Sequence, residues 1–375
     1  MVRTGSERDL RLDFFRGLAL VFIFIDHVPD NKLARITLGS WNFSDAAEVF
    51  VFISGYTAAL VFGGMARRLG PVLASVRILT RCWTLYVAHI FLFVIFTAEV
   101  SFSAERLANP MFIEEMNIDD FMKTPHLAVL NALLLTFQPA FMDILPLYIV
   151  LMLSLIPLLP LIARWPWAVL GLSAFLYVVA QIKGFNLPTF PTGNWFFNPL
   201  TWQLLFLLGA CLGYPRERRW PAWLDRPWLF WLSAAILAVC IPVKIVMTVY
   251  DLLGADLPQQ TRLVWMATGK TYLGPLRVIN FLALAYMASY LIKPQARWLG
   301  WRPLKLVIRM GQNSLYVFCL GIFLSYLGHL VLVEFSARTA THFAVSLAGV
   351  GVMAAVAALM SWVRRTEAQK RRAGA

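Results

Sequence analysis

Charge is scarce in this chain. Asp, Glu, Lys and Arg make up 14% of its 375 residues, hydrophobic residues make up 59%, and mean hydropathy is +0.68. A soluble domain is about one-quarter charged, so that class is excluded. The ten-residue alternation of a membrane barrel is missing as well. The apolar residues arrive in blocks of roughly twenty, which implies an all-α, polytopic integral membrane bundle. Cysteine is limited to Cys82, Cys211, Cys240 and Cys319, all within or at the ends of apolar segments. They read as buried small hydrophobes and not as a disulfide framework. There is no HExxH, no Gly-rich phosphate loop, no CxxC pair and no GxSxG, so a metal centre or a nucleotide cradle has no support. Acidic residues are the minority, 20 against 33 basic, for a formal charge of +13. The basic residues form no nucleic-acid patch. They concentrate between apolar runs, where they orient a protein in its membrane.

The apolar runs predict about ten spans, near 12–29, 46–64, 82–100, 144–163, 166–182, 199–214, 228–250, 275–292, 313–333 and 341–363. The 144–163 run is expected to kink at Pro157. The first run follows Arg3, Arg8 and Arg11 as a signal peptide would, but DHVPDN succeeds it in place of a small-residue cleavage site, so it is expected to stay as a helix. Lys and Arg cluster on alternate connections: before the first span, in 67–81, at Arg164, in 216–226, in 293–309 and in the basic tail 364–375. The remaining connections carry fewer, which predicts cytoplasmic N- and C-termini. The largest outer segment, 101–142, is acidic, and its stretch 126–137 is too short to span and is expected to form a re-entrant or interfacial helix. No repeat, low-complexity linker or soluble domain divides the chain, so 1–375 reads as one membrane domain.

The first span holds the chemistry that hydrophobicity cannot explain. Arg16 and His27 are eleven residues apart, with Asp26 beside the histidine. On a helix, eleven residues make three turns plus ~20° and rise ~16 Å, which places both on one face. Titratable groups inside a span are costly and mark function by default. A histidine suits a general base, and a cation on the cytoplasmic side suits an anionic ligand. The alternative for each alone is a snorkelling arginine and an interfacial histidine.

Asp45 and Glu48, three apart at the start of the second span, share a face at a depth like that of His27. A carboxylate there could orient the imidazole, or merely complement the helix dipole. Ser54 and Gly55 in mid-span fit close helix packing. Arg67 and Arg68 are ordinary topology charge. Arg77 and Arg81, four apart, present two guanidinium groups on one face, for phosphates or for lipid headgroups. His89 is either a packing residue or part of a tunnel. Outer segments around Asp143, Tyr148, Asn198, Trp202 and Gln203 mix aromatic and polar groups, as a sugar-binding mouth does and as an interfacial aromatic belt also does. Asn313 opens a late span as a cap or a tunnel wall.

With DFFRGLALVFIFIDH and SDAAEVFVFISGY, and with further stretches RCWTLYVAH, DILPLYIVL, FNPLTWQLLF and GQNSLYVF, the chain resembles the OpgC family of bacterial membrane acyltransferases, related to the acyltransferase-3 group. The resemblance implies a multi-pass protein of the bacterial inner membrane. It also implies transfer of an acyl group, typically succinyl from cytoplasmic succinyl-CoA, to glucosyl hydroxyls of osmoregulated periplasmic glucans. On that reading His27 is the base, with Glu48 or Asp26 orienting it. Arg16, Arg77 and Arg81 meet the acyl-CoA. Asp45, Ser54, Tyr56, His89, Asp143, Tyr148, Asn198, Trp202, Gln203 and Asn313 line the acceptor path, and Arg277 or Lys244 is the counter-charge for the succinyl carboxylate. The donor is a substrate, no permanently bound cofactor or metal is implied, and the partners are acyl-CoA, glucan and lipid, with a homo-oligomer left open. The alternatives are another acyl group or envelope glycan, or a proton-coupled secondary transporter using Asp26, His27 and Glu48.

Overall fold

The computed structural model describes residues 9–215, 226–253, 264, 267–294 and 296–373. Arg3, Arg8, Arg216, Arg218, Arg219 and Arg262, counted above as topology charges, lie outside them. The helices are α1 (Leu10–His27), α2 (Leu38–Trp41), α3 (Ala46–Leu69), α4 (Pro71–Arg106), α5 (Met111–Glu115), α6 (Asp119–Lys123), α7 (Pro125–Leu133) and α8 (Ile144–Arg164). They continue with α9 (Pro166–Lys183), α10 (Pro199–Gly213), α11 (Pro227–Leu252), α12 (Pro275–Leu291), α13 (Arg302–Gln312), α14 (Ser314–Glu334) and α15 (Thr339–Ala373).

Every expected span coincides with a helix. Among the described residues, seven helices are long and apolar enough to cross a membrane: α3, α4, α8, α9, α11, α14 and α15. The other three expected spans fall short by that measure. α1 carries Arg11, Asp13, Arg16 and Asp26, while α10 and α12 have only 15 and 17 residues. The architecture is an all-α polytopic membrane bundle. α4 differs most from the expectation of 82–100. It runs 36 residues, about 54 Å, well beyond a hydrocarbon core of ~30 Å, and so carries Arg77 and Arg81 within the helix. α8 continues unbroken through Pro157 and Pro160. The outer segment folds as three short helices, α5 to α7, and α7 occupies most of the stretch expected to be re-entrant or interfacial.

Contacts group the chain into two units, 1–50 with 226–255 and 280–375, and 51–225 with 256–279. In lipid, no hydrophobic gain separates helix–helix from helix–lipid contact, so small residues and polar bonds must hold helices together. The first unit uses both. α1 and α13 cross backbone to backbone: a Cβ on Gly17 would strike the Val307 carbonyl, and one on Gly311 the Asp13 carbonyl. Gly349 of α15 leaves room for the Phe24 ring, and Gly328 of α14 meets Val28 and Val345. Asn313 Nδ2 donates to Ser361 Oγ at 2.9 Å, which ties the start of α14 to α15. Asn31 Nδ2 donates to Ser346 Oγ at 3.0 Å.

The second unit repeats the device. Gly209 and Gly213, a GxxxG pair on α10, lie against the carbonyls of Phe52 and Tyr56 on α3, and Gly55 lies against that of Phe206. Ser173 Oγ donates to Gln203 Oε1 at 2.7 Å, and Gln203 Nε2 returns a bond to the Ser173 carbonyl at 2.9 Å, linking α9 to α10. Beneath the outer segment, Phe93 meets Phe121 and Phe137 edge-on, with ring centres 5.9 and 6.0 Å apart.

Candidate functional site

α1 is unbroken from Leu10 to His27, so the helical spacing of Arg16 and His27 holds in the fold. His27 is half-buried in the last turn, and its Nδ1 lies in hydrogen-bond contact with the Ile23 carbonyl one turn earlier. A carbonyl only accepts, so Nδ1 carries the hydrogen. The neutral ring then has its lone pair on Nε2, the nitrogen that takes a proton. Asp26 is exposed, and its Oδ1 accepts from Thr37 Oγ1 at 2.7 Å, in the turn that follows α1.

Glu48 is fully buried in the first turn of α3. Its Oε2 accepts from the Asp45 backbone N–H at 2.8 Å, while Asp45 Oδ1 accepts from Ala47 N–H at 2.8 Å. This is a capping arrangement in which the acid at N3 reaches back to the cap residue. The observed contact at His27 Nδ1 is the Ile23 carbonyl, and the observed contacts of Asp45 and Glu48 close the start of α3.

The other end of α1 is clamped by its neighbours. Arg16 is half-buried and precedes Gly17, the crossing point with α13. Asp13, one turn earlier, is buried and accepts from Gln312 Nε2 at 3.2 Å. Arg11 Nη1 donates to the Ile292 carbonyl at 2.7 Å. Sequence reasoning passed over Asp13, although an acid three residues before Arg16 on one helix face is a readable signal. Asn313 is buried, with its amide nitrogen bonded to Arg309, Ala357 and Ser361.

The remaining expected residues belong to the second unit. Ser54 is buried, and the backbone of Tyr56 supports Gly213. Arg77 is exposed and Arg81 half-buried, flanking the buried stripe of Ala74, Ile78 and Cys82 on α4. His89 continues that stripe, is fully buried, and among the described residues neither ring nitrogen has a hydrogen-bond partner. Arg277 is buried in the first turn of α12.

Around α10 the polar groups expected to face a sugar are used internally. Asn198 caps α10 through Leu200 N–H at 2.9 Å and donates to the Phe185 carbonyl at 2.6 Å. Trp202 is fully buried, and its Nε1 donates to the Lys270 carbonyl at 3.1 Å. Gln203 bridges to Ser173 as described. The residue missed here is Lys270. Its Nζ sits 5.6 Å from the centre of the Phe197 ring, and its charge acts on Asp143. Asp143, just before α8, has a crowded carboxyl though part of the residue reaches solvent. Loss of water pushes its pKa up to about 6, against the opposing pull of Lys270. No local pattern announces Lys270, because the 269–274 turn is pinned by distant groups, among them Tyr177 Oη on the Leu273 carbonyl at 2.8 Å.

The arrangement thus offers a tautomer-fixed imidazole and an arginine on one helix face in the first unit, and a charged, aromatic-edged cluster in the second. Comparison with curated proteins and with solved structures finds no match. A family model described as OpgC protein matches residues 8–365, and the chain belongs to that OpgC family, which together with the helical membrane architecture supports a transmembrane acyltransferase role.

Proposed function

We propose that this protein, in the bacterial inner membrane with both termini cytoplasmic, transfers succinyl from cytoplasmic succinyl-CoA to hydroxyls of osmoregulated periplasmic glucans. The observation that carries the reading is the His27 contact with the Ile23 carbonyl, which leaves Nε2 as the basic nitrogen. Nε2 takes the proton of a glucosyl hydroxyl as its oxygen attacks the thioester carbonyl. A tetrahedral adduct forms, the carbon–sulfur bond breaks, and the imidazolium returns the proton to the departing thiolate. The products are a glucan ester and coenzyme A. Glu48, with Asp26 as the other carboxylate at this depth, stabilises the imidazolium. Arg16, about 16 Å down α1, offers its cation to the donor. Arg77 and Arg81, on the second unit, offer two more guanidinium groups to its phosphates.

His89, Asp143 and Tyr148 are the acceptor-side residues that the geometry favours, since Asn198, Trp202 and Gln203 are spent on internal bonds. Arg277 is the counter-charge for the succinyl carboxylate. Arg277→Ala is expected to reduce succinyl transfer more than acetyl transfer, and equal loss of both removes that assignment. The test of the whole reading is the mass of cell-envelope glucans with and without this protein. Added succinyl groups support it, added acetyl groups correct the donor, and unchanged glucans with uptake of a glycan or organic anion into liposomes replace it with a transporter.

A further inference from the structure

A cavity of about 180 Å³ lies in the second unit where the end of α3, the start of α4 and the last turns of α8 and α10 meet. Ala66, Arg67, Pro71, Ser75, Ile156, Leu159, Pro160 and Tyr214 line it. The distribution of basic residues assigns this end to the cytoplasm. At ~30 Å³ per water the space matches about six waters, which admits a phosphate and a short stem but no nucleotide.

Its walls are chemically divided. Arg67 stands on one side, and its Nη1 donates to the Pro215 carbonyl at 2.8 Å, which holds the planar head in place. A guanidinium carries five N–H donors in a fork that matches phosphate oxygens. Opposite, Pro160 has no N–H, so the Ile156 carbonyl four residues back receives no helical bond from it. That supplies an acceptor on the far wall. Leu159 and the proline rings make the floor apolar. A donor-rich cation, a backbone acceptor and an apolar floor together match a ligand with an anionic phosphate at one end, an N–H group at the other and methylenes between.

We infer that this cavity binds a phosphate ester on a short stem bearing an N–H group, with Arg67 on the phosphate and the Ile156 carbonyl on the N–H. Two sources share this chemistry, the phosphopantetheine arm of coenzyme A and an ethanolamine phospholipid headgroup. The first source rests on the acyl-CoA reading above, and the second is independent of it. The role assigned to Arg67 also replaces its reading as a topology charge alone.

The test uses the purified full-length protein in detergent. Coenzyme A is titrated calorimetrically, and ethanolamine phospholipid is titrated by native mass spectrometry. Arg67→Gln removes the charge, Leu159→Trp fills the cavity, and Arg68→Gln, at the neighbouring arginine outside the lining, is the control. Loss of a charge-assisted bond predicts about tenfold weaker binding of at least one ligand in both lining variants, with the control within about twofold of wild type. Weakening confined to coenzyme A identifies the donor arm, weakening confined to lipid identifies the headgroup, and weakening of both identifies a shared site. Unchanged affinity for both ligands in Arg67→Gln, or equal weakening in Arg68→Gln, overturns the inference. If Leu159→Trp does not fold, Ser75→Leu fills the same cavity from its α4 wall. Because both readouts are binding, a failed acyl transfer leaves them intact and is distinguishable from a failed site.

Discussion

Replacing Gly17 with alanine probes the crossing that holds the Arg16 end of α1. The new Cβ falls on the Val307 carbonyl, and Gly311→Ala sets its own on the Asp13 carbonyl. Both obstacles are backbone, so neither can rotate aside. The helices must part by about 1 Å or more, and a gap of 0.5–1 Å already forfeits roughly a quarter to a half of the dispersion between facing atoms. Overpacking a well-fitted site costs about 1–3 kcal/mol, and here there is no side chain to absorb it. Each single variant is therefore expected to lose about 2–4 kcal/mol, with reduced activity because Arg16 moves with its helix. The two glycines serve one crossing, so the double variant should cost far less than the sum, since the first displacement opens the space that the second Cβ needs. The assay is unfolding of the full-length protein in mixed micelles as denaturing detergent rises, followed by tryptophan fluorescence for wild type, both singles and the double. Single-variant losses below about 0.5 kcal/mol, or strict additivity, refute the close crossing.

Asp143 gives a pH prediction. Its folded pKa of about 6 lies above the ordinary 3.8, so between those values the folded chain keeps a proton that the unfolded chain releases. Stability from this group is therefore full at low pH, falls as pH rises through that window and stays lower above it. Asp143→Asn should flatten that slope in thermal unfolding, and an unchanged slope removes the assignment. Glu48→Gln separates its two roles. Glutamine still accepts the Asp45 N–H, so the fold should hold. If the charge orients His27, kcat should drop about tenfold or more, and an unchanged kcat leaves Glu48 as a helix cap alone.

Much of the fold was legible because hydrophobic blocks and helices obey the same lengths. The Arg16–His27 relation was legible for a stronger reason: it needs only an unbroken helix, which LDFFRGLALVFIFIDH gives without glycine or proline late in the run. Glu48 was ambiguous in kind. An acid in the first helical turn serves a cap and a catalytic partner alike, and the observed bond to Asp45 N–H is the local use. Asn198, Trp202 and Gln203 misled because aromatic and amide groups near a membrane interface look the same whether they face a sugar or bind one another. Lys270 was invisible because its place beside Asp143 depends on a turn fastened by Tyr177 and Trp202, far away in sequence. The span count suffered from α1 itself, where the groups that suggest function also lower the apolar signal.

The central claim is that the Nε2 of His27 removes the acceptor proton. Purified full-length His27→Ala, shown to be folded by its unfolding midpoint and supplied with succinyl-CoA and glucan, tests it most directly when coenzyme A release and glucan mass are followed together. The account predicts no succinylated glucan above background and no glucan-dependent release of coenzyme A. Near wild-type succinylation by that variant contradicts it.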